Sequence, residues 1–299
     1  MAKFKALTSD KVPDNISEHN SFVACGFFHN LVLTYNGLIV GWGYDSDNQI
    51  SDIPQEAGYV AVASGLHHSL ALTEDGELFA WGDDSRNQVS GAPVGLETPI
   101  ATTTRFTAIS TRGFHSLALT NGGRIVAWGD DDAEYTSGTP TDDGYVAVAA
   151  GGYHCIALKR DGSLVAWGNN RYGQVSNAPT GNDFVAISAG CFHSLALKQD
   201  GSVVDWGNDG YNTVSTVPTN NDFVAISCGC FHRIALRQDG SIAAWGRNYA
   251  NVVSDTPMDI DFVSLSAGAY HSIAVKQDGT LAAWGRDDYN QVRGTPTFY

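Results

Sequence analysis

From residue 184 onward the hydrophobic positions fall in short alternating runs separated by glycine-rich turns. FVAIS (Phe184–Ser188) alternates and is rich in β-formers, which predicts a first strand. Ala189-Gly190-Cys191-Phe192 predicts a turn and HSLALK (His193–Lys198) a second strand. Gln199-Asp200-Gly201-Ser202 predicts a tight hairpin, because an Asp-Gly pair tolerates the positive φ of a type I′ turn. Val203–Trp206 is a third strand, and after a polar loop Thr213-Val214-Ser215 predicts a short fourth one. In the second strand the positions two and four after the histidine are large and aliphatic (Leu195, Leu197), and the position between them is small (Ala196). A period of two places bulky side chains on one sheet face and small ones on the other. Sheets stacked radially need such faces, bulky against small. Asp205 departs from the pattern, since the residue before tryptophan is otherwise Gly or Ala. It is expected at a solvated edge or paired with a basic group.

This unit occurs seven times. The histidines are His29, His68, His115, His154, His193, His232 and His271. Thirteen residues after each comes a tryptophan followed by glycine: Trp42, Trp81, Trp128, Trp167, Trp206, Trp245 and Trp284. The period is 39 residues except between Trp81 and Trp128, where it is 47. The extra residues lie within Val94–Arg105, the one long loop. In that repeat Arg112 stands where the others have glycine, and Gly113 comes one place late. Seven equal units predict one closed array spanning 1–299 rather than two domains. The expected fold is an all-β, seven-bladed β-propeller with four-stranded blades. Residues 20–299 supply the repeats and 1–19 an N-terminal closing segment. The ring is expected to be closed by a terminal strand, which removes an exposed sheet edge. Lys5–Pro13 and the tail QVRGTPTFY both resemble repeat tails, and either can supply it.

Composition narrows the function. The chain has 17 basic and 32 acidic residues, a net charge of −15. Nucleic-acid binding needs clustered Lys and Arg, so no nucleic-acid partner is expected. A protein partner with a basic surface fits better. No apolar run has the length of a signal peptide or membrane span, so a cytoplasmic monomer without membrane contact is expected. Five cysteines without paired CxxC motifs predict buried thiols in a reducing compartment. Cys228-x-Cys230 with Cys191 lacks zinc-type spacing, so no metal is expected there.

The combination G-x-x-H-S-L-A-L-x-x-D-G-x-x-x-A-W-G, nearly whole in Gly151–Gly168, resembles the regulator-of-chromosome-condensation repeat family. The resemblance covers about residues 20–299 and implies a seven-bladed propeller. The 39-residue period is similar to bacterial short-repeat members, which include a secreted β-lactamase inhibitor. Family roles range from guanine-nucleotide exchange on a small GTPase to chromatin docking, ultraviolet sensing and protein inhibition. The fold therefore does not choose among them.

The histidines and tryptophans are expected to be structural. Each imidazole would bridge turn backbone or a neighbouring blade, and each indole would fill the space between blades. No nucleophile elbow, phosphate-cradling loop or HExxH is present, so no enzyme and no cofactor is expected. The candidate site is a surface. In an up-down blade the first–second turn and the loop after the third strand emerge on one face. The turn carries Phe28, His67, Phe114, Tyr153, Phe192, Phe231 and Tyr270, a ring-bearing residue just before every histidine. The loop carries Asp84, Asp131, Tyr172, Tyr211, Tyr249 and Tyr289. An aromatic ring with an acidic rim has the composition of a protein-binding face. A non-enzymatic protein-binding module is the first expectation. A guanine-nucleotide exchange factor, with Val94–Arg105 as its wedge, or a protein inhibitor of an enzyme, are the alternatives.

Overall fold

The structure is a computed structural model, and it describes residues 22–93, 105–210 and 216–297. Among the described residues twenty-one strands form seven sheets of three antiparallel strands each. The sheets occupy residues 22–43, 59–82, 106–129, 145–168, 184–207, 223–246 and 262–285. They are the blades of a propeller, and the middle strand of each begins at the recurrent histidine. The fifth blade shows the register: His193 pairs with Gly207, Ser194 with Trp206 and Leu195 with Asp205. The hairpin glycines take the positive φ that the sequence demanded, +83° at Gly201 for example.

The core lies between blades. Leu195 and Leu197 of the fifth blade pack with Phe223, Ile226, Ala235 and Trp245 of the sixth. Bulky face meets small face, as the alternation required, and the pattern recurs from blade to blade. Leu195 is fully buried. Leu195→Ala is expected to cost about 2–5 kcal/mol by urea denaturation, the usual range for a buried leucine whose site cannot collapse.

The ring closes between the seventh and first blades. Cys25 N donates to Ser266 Oγ (3.0 Å), His271 Nε2 lies 2.6 Å from Asn30 Oδ1, and Ala269 N donates to Gly26 O (3.3 Å). The C-terminal segment also takes part, since Trp42 Nε1 donates to Gln291 O at 2.9 Å. Residues 1–19, the expected closing segment, lie outside the described residues.

One expectation is corrected. The described blades have three strands, and the stretch after each WG is a series of turns. The cause is local. The Asp or Asn three places after the tryptophan accepts two backbone N–H groups five and six residues on. Asp84 Oδ1 accepts from Val89 and Ser90, Asp131 Oδ1 from Thr136 and Ser137, and Asn170 Oδ1 from Val175 and Ser176. A side chain that claims these donors curls the backbone and withdraws it from a ladder. Asn48, Asn87, Glu134, Asn251 and Asn290 take positive φ inside this curl. The predicted fourth strand at Thr213–Ser215 lies outside the described residues. The curled segment then braces the next blade. The carbonyls of Gln49, Gln88, Tyr135, Gln174 and Val252 accept the indole N–H of Trp81, Trp128, Trp167, Trp206 and Trp284 at 2.8–2.9 Å.

Candidate functional site: an aromatic face

Two kinds of loop meet on one face. The residue after each WG donates its backbone N–H to the carbonyl of the residue before the histidine, as in Asp83 to His67, Asp130 to Phe114 and Asn169 to Tyr153. Each ring-bearing turn is thereby held beside its polar loop. From the fourth to the seventh blade the rings touch. Tyr153 stacks on Phe192 (4.9 Å between centroids), Phe192 lies 6.3 Å from Phe231, and Phe231 stacks on Tyr270 (5.5 Å). Loop tyrosines join them: Tyr172 meets Phe192 edge-on and Tyr249 meets Tyr270. Across the ring closure Phe28, Tyr44, His67 and Tyr289 form a second group.

The predicted ring residues fall into two classes. Tyr153, Tyr172, Tyr249 and Tyr289 are exposed, at 44%, 40%, 45% and 39%. Phe28, His67, Phe114, Phe192, Phe231 and Tyr270 are half-buried. The former offer free area at little cost to packing, whereas the latter also hold neighbouring turns together. Tyr211 lies outside the described residues.

The acidic rim has a structural component. Asp84 and Asp131 each spend one oxygen on capping their own loop. Those backbone hydrogen bonds hold both carboxyls below the usual range, Asp131 at about 2. The charge persists at the surface, but the orientation is fixed by the curl. The rim also holds cations that the repeat pattern conceals. Arg86 lies over Phe114, Arg171 over Tyr172, Arg247 over Phe231 and Tyr249, and Arg286 between Phe28 and Tyr270, with Cζ 5.4–5.9 Å from the ring centroids. Arg86 and Arg286 are also paired with Asp130, Asp132 and Asp288. These arginines stand five, four, two and two residues after their tryptophans, so no periodic signal marks them.

Beneath the face runs a buried histidine relay. His29 Nε2 lies 2.9 Å from Ser69 Oγ, His68 2.8 Å from Ser116 Oγ, His154 2.6 Å from Ser194 Oγ and His232 2.8 Å from Ser272 Oγ. His115 meets Cys155 Sγ at 3.1 Å. Each bridges to the next blade, one of the two roles the sequence allowed. Burial pushes all seven imidazoles down, to about 3 or 4 in six of them, and His193 also falls well below its ordinary value. Among the described residues no three ligating side chains gather to hold a metal.

Two departures from the repeat explain each other. The sixth blade carries Arg233 where most others have serine, and the fifth carries Asp205 where others have Ala or Gly. Arg233 Nε lies 2.8 Å from Asp205 Oδ2, and Nη2 donates to Oδ1 at 3.0 Å. Both side chains are fully buried. Desolvation pushes the Asp205 carboxyl up to about 6, against the pull of Arg233.

The cysteine expectation is corrected in part. Cys25, Cys155 and Cys228 are buried thiols, but Cys191 and Cys230 form a disulfide, with Cα atoms 4.5 Å apart. They are one period apart and occupy the same place in adjacent blades, which sets them side by side.

The repeat is of the kind the sequence suggested. The family description "Regulator of chromosome condensation (RCC1) repeat" matches residues 21–49, 59–88, 145–174 and 262–291. No curated protein sequence matches the chain. Several solved structures share the fold. The ectodomain of the receptor kinase CR4 from Physcomitrella patens is 20% identical, covers 88% of this chain and 73% of its own, and superposes with a TM-score of 0.72. The CRINKLY WD40 ectodomain of ACR4 from Arabidopsis thaliana gives 19%, 92%, 97% and 0.72. Prp20p from Saccharomyces cerevisiae gives 20%, 97%, 88% and 0.69. At these identities the likeness is one of fold.

Proposed function

We propose that this propeller of RCC1-type repeats is a non-enzymatic protein-binding module whose contact surface is the aromatic face. The supporting observation is the row Tyr153–Phe192–Phe231–Tyr270, continuous over four blades and flanked by exposed tyrosines. Rigid aromatic area with a charged rim suits a protein partner, because tyrosine gives up little rotamer entropy per area buried. The partner is expected to present basic side chains. Asp83-Asp84 and Asp130-Asp131-Asp132 supply negative potential at the rim, and the rings already accept guanidinium groups over their faces. Protein binding is also what the fold serves in Prp20p, described with its binding to Gsp1p and histones.

The test uses the exposed rings. Wild type and the quadruple variant Tyr153→Ala, Tyr172→Ala, Tyr249→Ala, Tyr289→Ala are compared in capturing proteins from host lysate, after circular dichroism shows equal folding. The variant is expected to lose the captured partner, since central aromatic truncations cost about 2 kcal/mol or more each, roughly thirtyfold in affinity. A folded variant that retains the partner would sink this reading and move attention to 94–105. That loop lies mostly outside the described residues. If the captured protein is a small GTPase whose nucleotide release the wild type accelerates, the exchange-factor alternative replaces the binding-module reading.

A further inference from the structure

Six blades carry glycine three residues before the histidine, and the third carries Arg112. Its side chain enters a narrow axial cavity of about 60 Å³ surrounded by the inner strands of all seven blades. Arg112 is only 8% exposed. It reaches across the ring, where Nη2 donates to the carbonyls of Cys228 and Ala267, the latter at 2.9 Å. Nη1 lies 4.0 Å from Cys230 Sγ. A guanidinium has five N–H donors. Nε–H and the second N–H of Nη1 have no acceptor among the described residues. Among the described residues Arg112 takes part in no ion pair, and its titratable surroundings are the thiols of Cys25 and Cys228 rather than a carboxylate. A buried cation without counter-charge is costly.

The cavity wall adds further donors. Ser110, Ser188, Ser227 and Ser266 line it. Each hydroxyl oxygen accepts a backbone N–H from the next blade: Ala150 (2.9 Å), Cys228, Ala267 and Cys25 (3.0 Å each). A hydroxyl that accepts this way still has its own proton to donate. Ser227 and Ser266 directly precede Cys228 and Ala267, whose carbonyls hold the guanidinium, so these hydroxyls and the positive charge are at the same level of the channel.

We propose that the axial cavity is a binding site for a small inorganic anion of halide size, held by the Arg112 guanidinium and the Ser227 and Ser266 hydroxyls. The site supplies donors that lack acceptors, a net positive charge and room for one such ion. A single water needs about 10–15 Å³ of such space, so the cavity admits one monatomic anion together with a few waters. The anion neutralises the buried charge and ties the third blade to the sixth and seventh, stabilising the closed ring.

The probe is bromide. Crystals of wild type grown in sodium bromide are expected to show one anomalous peak in the axial cavity within hydrogen-bonding distance of Arg112. At fixed ionic strength, exchanging gluconate for bromide is expected to raise the melting temperature by a few degrees. Arg112→Gly restores the glycine of the other six blades and is expected to abolish both effects. Ser227→Ala keeps the cation and is expected to weaken the bromide response. Waters alone in the wild-type cavity, or equal bromide responses in wild type and Arg112→Gly, would overturn the proposal.

Discussion

Between pH 7 and pH 5 the propeller is expected to lose its folded state cooperatively. The seven repeat histidines are buried and held neutral, with values driven down by desolvation. In the unfolded chain they titrate near 6.5. Below that pH the unfolded chain takes up protons that the native ring refuses, so acid favours unfolding. The stability contributed is fully present above about pH 6.5 and falls until the native imidazoles themselves titrate. Asp205 acts in the opposite sense. Its carboxyl, pushed up to about 6, takes its proton in the folded state first and cancels about one histidine below that pH. Once the unfolded histidines are nearly all charged, below about pH 5.5, a net uptake of about six protons at roughly 1.4 kcal/mol per pH unit each gives a slope of about 8 kcal/mol per pH unit. An ordinary stability of about 5–15 kcal/mol is then exhausted within one to two units. The capped aspartates, such as Asp131, act in the same direction only below about pH 4. Urea denaturation at half-unit steps from about pH 7.5 to 5.0 reads the steepening slope. A stability that stays flat over this range would show that the imidazoles are hydrated or charged in the native ring.

The second large effect concerns Asp205 and Arg233. Removing either partner leaves a charge buried between the fifth and sixth blades, at a cost of about 3–5 kcal/mol. Asp205→Ala and Arg233→Ser are each expected to show that loss. The double variant restores the residues of the other repeats, and alanine and serine bury without charge. It also gives His193 Nε2, which has no partner now, the serine that most other blades offer. The double variant is therefore expected to be at least as stable as wild type, a coupling of several kcal/mol in a double-mutant cycle. Additive losses would mean that the two side chains do not act as a pair.

Much of this was legible in the chain. Period and alternation set the blade count, the hairpins and the bulky-on-small packing, because each depends on spacing within one repeat. What was missed depends on geometry between repeats. Asp205 stood out as an exception, yet only the offset of neighbouring blades shows that the basic group it meets is Arg233. Cys191 and Cys230 looked like scattered thiols until the ring placed equivalent positions together. In the described blades the segment after each WG forms no fourth strand for a local reason: it has β-formers such as Val89 and Val175, but the Asx cap upstream takes the donors that a ladder needs. That signal was present, since Asp or Asn recurs three residues after every tryptophan. The ring of aromatics was legible as a position, whereas the division into exposed tyrosines and half-buried phenylalanines was not. Turn and loop must first be brought against each other before one ring can shade the next.

The aromatic face is tested most directly by amide hydrogen exchange on the propeller alone and in complex with its captured partner. Slowed exchange is expected in the turns and loops around Tyr153, Asn169–Tyr172, Phe192, Phe231, Arg247–Tyr249 and Tyr270, with the hairpins at Asp161-Gly162 and Asp200-Gly201 unchanged. Protection confined to those hairpins, on the opposite face, would contradict the assignment.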